Sequence, residues 1–222
     1  QDGLYGVTER DGAGARTRLV GAVRSVLVAR EEPGAVIAAL ASPDVRIATF
    51  TVTEKGYCRA GDGSLDPALA GDDSLYRYLA QGLAARRARG GPGLTLLSCD
   101  NLAENGVQVH ALLAAYLAAR DPALGDWVEA HCAFPSSMVD RIVPATTGAD
   151  LDAAEAALGG LRDEAHVVTE PFSQWVIEDR FAGPRPRWED HGAELVADVR
   201  PYETAKLRML NGAHSALAYL GL

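Results

Sequence analysis

The chain has 222 residues, 48% of them hydrophobic, with a formal net charge of −9. That length can bury one large core, or one domain and part of another, while an acidic chain without concentrated Lys and Arg is excluded as a broad nucleic-acid binder. Cys58, Cys99 and Cys132 are far apart and form no CxxC pair, which argues against a zinc finger or a disulfide framework and for a reducing, cytoplasmic compartment; no stretch is apolar over the length of a membrane span and no signal peptide opens the chain.

Leu4–Glu9 and Thr17–Val23 read as two strands joined by the turn Asp11-Gly12-Ala13-Gly14. Pro33–Ala41 reads as a helix with Pro in its first turn, where a missing N–H costs little. Val45–Thr53 is apolar and β-branched, the pattern of a buried parallel strand. A Gly-rich polar loop over Gly61–Asp72 leads to a helix over Asp73–Arg87, broken by Gly90-Gly91-Pro92-Gly93. Leu94–Cys99 is a second short buried strand, with Cys99 expected as a small buried residue. Helices are expected over Asn105–Ala119 and Leu124–His131. A short segment over Met138–Thr147 and an acidic, alanine-rich helix over Ala149–Asp163 follow. Phe172–Arg180 reads as a compact helix, and Pro201–Leu220 as a long one with Glu203 in its first turn.

Strands and helices alternate through the first two thirds, which predicts an α/β fold with a Rossmann-like, mostly parallel, doubly wound sheet. The expected division is 1–168 for a partial nucleotide-binding domain and 169–222 for the start of an α-helical domain. Ligands of such sheets bind beyond the carboxyl ends of the strands, here Thr53-Glu54-Lys55-Gly56-Tyr57 and Asp100-Asn101-Leu102. The chain opens on Gln1-Asp2-Gly3 without an initiator methionine and closes on an apolar helical pattern, so both ends read as cuts in a longer polypeptide.

The long helix carries the densest set of reactive groups. With about 100° per residue, Glu203 lies near 60° from Lys206, His214 near 80° and Asn211 near 140°. A Lys, a carboxamide and an imidazole on one face suit proton transfer: the amine as base, Asn as donor to an oxygen gaining charge, His as a ligand of substrate hydroxyls. Glu203 is placed to relay the proton to solvent or to tune the lysine. The same residues equally describe a solvated helix face with a capping or core-satisfying histidine.

The spacing Lys206-x4-Asn211-Gly212-x-His214 resembles the signature of the mannitol dehydrogenase family of polyol-specific long-chain dehydrogenases. The resemblance continues in Thr51-Val52-Thr53-Glu54-Lys55-Gly56-Tyr57-Cys58, in Ser98-Cys99-Asp100-Asn101-Leu102 with Asn105-Gly106, and in Phe134-Pro135 with Met138-Val139-Asp140-Arg141-Ile142-Val143-Pro144. It ends in Glu170-Pro171-Phe172 with Gln174-Trp175-Val176-Ile177-Glu178-Asp179. It implies a metal-free, NAD- or NADP-dependent oxidoreductase acting on a small polyol, ketose or uronate. By that resemblance Lys206 is the general base, Asn101 and Asn211 polarise the substrate oxygen, and His214 orients the sugar. Thr53, Glu54 and Asn101 border the nicotinamide. Asp140 supports the site, or forms a structural ion pair with Arg141 or another Arg.

The family's first strand and Gly-rich phosphate loop should precede Gln1, and with them the residue that selects NAD or NADP. Gly90-Gly91-Pro92-Gly93 is no substitute, because it precedes a strand instead of following one. Two other readings stand beside a mannitol/fructose dehydrogenase: a fructuronate reductase giving mannonate, favoured by Glu54-Lys55-Gly56 and Lys206-Leu207-Arg208-Met209-Leu210, and a non-catalytic fragment or interaction module. Oligomeric state is not legible in the sequence.

Overall fold

The computed structural model describes residues 3–221; Gln1, Asp2, Leu222 and the side chains of Asn211 and His214 lie outside the described residues. The elements in chain order are β1 (Tyr5–Asp11), β2 (Gly14–Val20), α1 (Pro33–Ala41), β3 (Ile47–Phe50), α2 (Thr53–Gly56), α3 (Leu75–Ala88) and β4 (Thr95–Ser98). Then come α4 (Asn105–Ala118), α5 (Pro122–His131), β5 (Ser137–Asp140), α6 (Gly148–Ala157), β6 (Val167–Thr169), β7 (Gln174–Glu178), β8 (Ala193–Val196), α7 (Arg200–Ala205) and α8 (Gly212–Leu220). The fold is α/β, and the chain forms two compact units.

One unit comprises residues 1–27 and 140–174. Its β1–β2 hairpin is antiparallel, with Tyr5 opposite Val20 and Asp11 opposite Gly14. Asp11 builds the turn by accepting the N–H groups of Ala13 (2.8 Å) and Gly14 (3.1 Å), as short acidic side chains do at turn starts. β6 adds in parallel to the other edge of β1. Thr147 and Asp150 form a reciprocal capping box at the start of α6. The helix expected over Ala149–Asp163 stops at Ala157, because Gly159 and Gly160 turn left-handed at φ +70° and +89°.

The other unit comprises residues 28–139 and 175–222. β3 and β4 pair in parallel, Ile47 opposite Thr95 and Phe50 opposite Ser98. Beyond β4, Ala133 exchanges backbone bonds with Leu94 and Leu96, and β5, β7 and β8 form a further sheet in that order, β7 parallel to β8. All four residues of β4 are buried, as a continuous apolar run in a parallel sheet requires. β3 is half-buried instead of buried, because it is the edge strand of its pair. The main core joins β4 to α3, α4 and α5 through Leu79, Leu83, Leu96, Leu113, Leu117 and Leu124. Arg86 is fully buried, and its guanidinium donates to the carbonyls of Leu40, Ser42, Val45, Pro92 and Gly93. It thereby ties together the segments that lead into β3 and β4.

Two expected helices are corrected. Phe172–Arg180 contains the strand β7. Trp175, Val176 and Ile177 are aromatic or β-branched types that crowd a helix and fit a pleated sheet, and Val176 and Ile177 are fully buried. The helix expected over Pro201–Leu220 is not uniform. Between α7 and α8 the turn Lys206–Asn211 is widened to a π-type turn, and the Gly212 N–H reaches the Leu207 carbonyl five residues back.

The carboxyl end of β4 is joined to β5 by polar side chains. Asn105 is fully buried and donates from Nδ2 to the carbonyls of Asp100 (3.0 Å) and Ser137 (2.8 Å), while its Oδ1 accepts the Ser137 N–H (2.9 Å). The Ser137 hydroxyl donates to the Ser98 carbonyl at 2.6 Å. Gly106 lets this approach happen, since a Cβ there would lie 2.5 Å from the Phe134 carbonyl oxygen and 2.6 Å from that of Pro135. Both contacts are to backbone, which cannot rotate away. Gly106→Ala is therefore expected to cost about 1–3 kcal/mol of stability by overpacking, read as a fall in urea midpoint at unchanged slope; an unchanged midpoint would mean that the Phe134–Ser137 segment yields freely.

Candidate active site

The helix that carries Lys206 is docked by a small second core. Met138, Val176 and Val199 are buried together, with Val196 and Tyr202 packed against them. Pro201 occupies the first turn of α7, where its fixed φ favours the helix and its missing N–H is not needed. Asp198 pairs with Arg200 at 2.7 Å just ahead of that turn. This anchoring places Lys206, one turn further on, over the end of β5.

Lys206 is half-buried. Its Nζ donates to the Val139 carbonyl at 2.5 Å and to Asn101 Oδ1 at 3.2 Å. Asn101 is exposed on the loop after β4. The contact joins residues from the two segments that the sequence singled out, 105 positions apart. Both line a small cleft together with Asp100, Ser137 and Glu203.

Glu203 is buried. Its Oε1 accepts the N–H of Glu104 at 2.9 Å, which fastens α7 to the loop before α4. Burial raises the Glu203 carboxyl above the ordinary range, and the negative charges of Glu104, Glu178 and Asp198 push the same way; the Glu104 N–H opposes them.

Thr53 opens α2 with a left-handed φ of +60°. Its N–H donates to Asp100 Oδ1 at 2.9 Å, and it and Glu54 are exposed. Asp140 is half-buried and ends β5, next to the Val139 carbonyl that receives Lys206. The neighbouring Arg141 pairs with Glu9 at 3.1 Å and donates to the Glu170 carbonyl. Lys206, Asn101 and Glu203 are thus brought into one cleft, with Thr53 attached to it through Asp100. Asn211 and His214 have side chains outside the described residues. Their expected angles from Lys206 assumed a uniform rotation, and the widened turn at Lys206–Asn211 does not have one.

Sequence reasoning did not single out Asp100, Tyr57, Asn105 or the Val139 carbonyl. Asp100 carried a usable signal, a carboxylate at the end of an apolar strand. A backbone acceptor such as Val139 O leaves none in the sequence. Cys99, expected to be buried, is half-buried, and burial together with the neighbouring Asp100 charge pushes its thiol up to about 11. Among the described residues no group of three or more His, Cys, Asp or Glu is arranged to hold a metal ion, and no helix is long and apolar enough to cross a membrane.

Residues 1–190 match the family described as the mannitol dehydrogenase Rossmann domain. The whole chain is 46% identical to an Escherichia coli protein named uncharacterized oxidoreductase YdfI and covers 48% of it. Over 98% of its length it is 41% identical to D-mannonate oxidoreductase of Escherichia coli, covering 47% of that protein. Among solved structures, the Pseudomonas fluorescens mannitol 2-dehydrogenase, in a ternary complex with NAD and D-mannitol, superposes with a TM-score of 0.89 at 38% identity, over 100% of this chain and 47% of that one. The chain spans about half the length of the curated relatives it matches.

The raised Glu203 carboxyl has a stability consequence of fixed sign. A carboxyl that holds its proton more tightly when folded contributes stability that is fully present below the unfolded value of about 4.3 and is lost as pH rises through the folded one. Glu203→Gln keeps an acceptor for the Glu104 N–H and carries no charge. Its urea midpoint, compared with that of the parent protein, is expected to improve progressively as pH rises from about 4 towards 7. A difference that stays constant across that range would remove the charge-burial account of Glu203.

Proposed function

The chain belongs to the mannitol dehydrogenase family, and on that premise we propose that the whole protein is an NAD- or NADP-dependent oxidoreductase that interconverts a sugar alcohol and a 2-ketose, with Lys206 as general base. The observation that carries this reading is the Lys206–Asn101 contact of 3.2 Å in a cleft at the carboxyl ends of β4 and β5. Ligands of doubly wound sheets bind at such ends.

The described residues fit the nicotinamide end of the cofactor: Thr53 and Glu54 stand exposed beyond β3, and Asn101 beyond β4. Gly90–Gly93 lies before β4, on the wrong side of that strand for a phosphate loop. When bound, the nicotinamide supplies the hydride acceptor or donor. The chain's own residues handle the proton and the oxygen. Lys206 Nζ, directed by Val139 and Asn101, takes the hydroxyl proton of the alcohol or returns it to the carbonyl oxygen. The Asn101 carboxamide, whose oxygen receives Lys206, donates from Nδ2 to the substrate oxygen as charge develops. Glu203, in the same cleft with a raised carboxyl, is the group that passes the proton towards solvent. Asn211 and His214 complete the oxygen-binding and sugar-orienting set, and Asp140 supports it from the end of β5.

Residues 1–168 are read as the nucleotide-binding part and 169–222 as the start of the substrate domain. The three free cysteines fit a reducing cytoplasm. The 41% identity to D-mannonate oxidoreductase favours a second reading, reduction of a keto-uronate to an aldonate, which requires a further cation for the substrate carboxylate. Steady-state assays of the full-length protein on fructose and fructuronate separate the two.

Lys206→Ala in the full-length protein is expected to lower turnover by about two to four orders of magnitude, while NADH affinity measured by fluorescence stays nearly constant. Equal loss of both would make Lys206 a structural lysine. Asn101→Ala is expected to lower turnover by about 100-fold through loss of an oxygen-stabilising donor, measured as kcat at saturating substrate; a change confined to substrate KM would assign Asn101 to binding alone.

A further inference from the structure

Among the described residues, three that are not glycine have a left-handed backbone: Thr53 at φ +60°, Cys58 at +50° and Glu104 at +47°. Thr53 is the most informative, because a β-branched residue rarely adopts this conformation. Such strain persists only where the surroundings over-determine it, and it gathers where geometry matters to function. All three lie on the segments that follow β3 and β4 at their carboxyl ends.

One buried carboxylate holds the first of these segments. Asp100 Oδ1 accepts the N–H groups of Thr53 (2.9 Å) and Val52 (3.1 Å). Its Oδ2 accepts the Val52 N–H at 3.1 Å and the Tyr57 hydroxyl at 2.9 Å, so the carboxylate spans α2 from one end to the other. Tyr57 is fully buried, and its carbonyl is held in turn by the Tyr76 hydroxyl at 2.9 Å. Asp100 is fixed from its own side by Asn105, which donates to its carbonyl at 3.0 Å. The next residue along is Asn101, the acceptor of Lys206.

We infer that Asp100 is a positioning residue: it locks the Thr53 segment after β3 to the Asn101 segment after β4, so that the groups facing cofactor and substrate keep one separation. This rests on the reaction proposed above, yet the clamp itself can be observed without turnover. A carboxylate suits the task because all its donors point at two acceptor oxygens; a carboxamide would turn one of them into a donor facing another donor.

Asp100→Asn and Tyr57→Phe in the full-length protein, followed by hydrogen exchange and steady-state kinetics, test it. In Asp100→Asn the amides of Val52–Tyr57 are expected to lose protection while those of Thr95–Ser98 keep theirs. In the same variant the nicotinamide KM should rise and kcat should fall, each by about 10-fold, as for other supporting groups whose loss misplaces a site. Tyr57→Phe, which removes a single donor, should move all three readouts the same way by a smaller factor. Unchanged exchange across Val52–Tyr57 in a folded Asp100→Asn protein, or in Tyr57→Phe should that variant not fold, overturns the clamp. Lower thermal stability with kcat and nicotinamide KM unchanged per folded molecule overturns the positioning role and leaves Asp100 as scaffold. If Lys206→Ala retains full turnover, the reaction reading fails instead, and the exchange measurement still decides the clamp.

Discussion

The carboxyl ends of β3 and β4 and the start of β5 are held together by a buried polar network, and the candidate site hangs from it. Asp100, Asn105, Ser98, Ser137 and Tyr57 are all buried and bonded to one another or to neighbouring backbone. Apolar packing fixes how far apart layers sit, but it is non-directional. Hydrogen bonds to a carboxylate and a carboxamide fix direction as well, and a satisfied buried network specifies a single arrangement. Lys206 adds itself to that arrangement through Asn101 and the Val139 carbonyl. Disturbing the network would leave the core of leucines intact and the site misplaced.

The same unit uses charge in two different ways away from water. Arg86 satisfies a buried guanidinium with five backbone carbonyls. Asp100 does the converse, satisfying a buried carboxylate with backbone N–H groups and a phenol. Neither relies on an ion pair for these bonds, and both bind backbone in the segments that flank β3 and β4. Arg86 sits before β3 and β4, Asp100 after them, so each end of the strand pair has its own polar clamp. A lone buried charge is costly unless its hydrogen bonds are made, which is why each is saturated.

Much of this was legible in the sequence, and the limits follow physical lines. Short β-branched or leucine-rich runs at Val45–Thr53 and Leu94–Cys99 announced β3 and β4, because burial in a parallel sheet demands continuous apolar residues. The same reasoning took Phe172–Arg180 for a helix although Trp175-Val176-Ile177 was as apolar and as β-branched, a period error over too few residues for periodicity to decide. Lys206 and Asn101 were found by residue type and by resemblance. Asp100 was written in the same motif but passed over, since its role is to bond the backbone of Val52 and Thr53, whose shape no residue code records. The widened turn after Lys206 was likewise invisible: its residues, Lys-Leu-Arg-Met-Leu, are ordinary helix formers, and only their hydrogen bonds depart from the α pattern.

The two acceptors at Lys206 bear on how a flexible side chain can serve a proton transfer. A long alkyl stem carries up to about 2 kcal/mol of rotamer entropy, and a base that must find its substrate by diffusion of its own side chain wastes that freedom at every turnover. An ammonium has three N–H bonds and a neutral amine has two. The bonds to Val139 and Asn101 use two, a number that both protonation states can supply. In the proposed reaction these two bonds can therefore persist as the proton comes and goes. That requires the Asn101 loop to be as stationary as the lysine, and the Asp100 carboxylate and the Glu203–Glu104 bond meet that requirement from opposite ends of the same short loop.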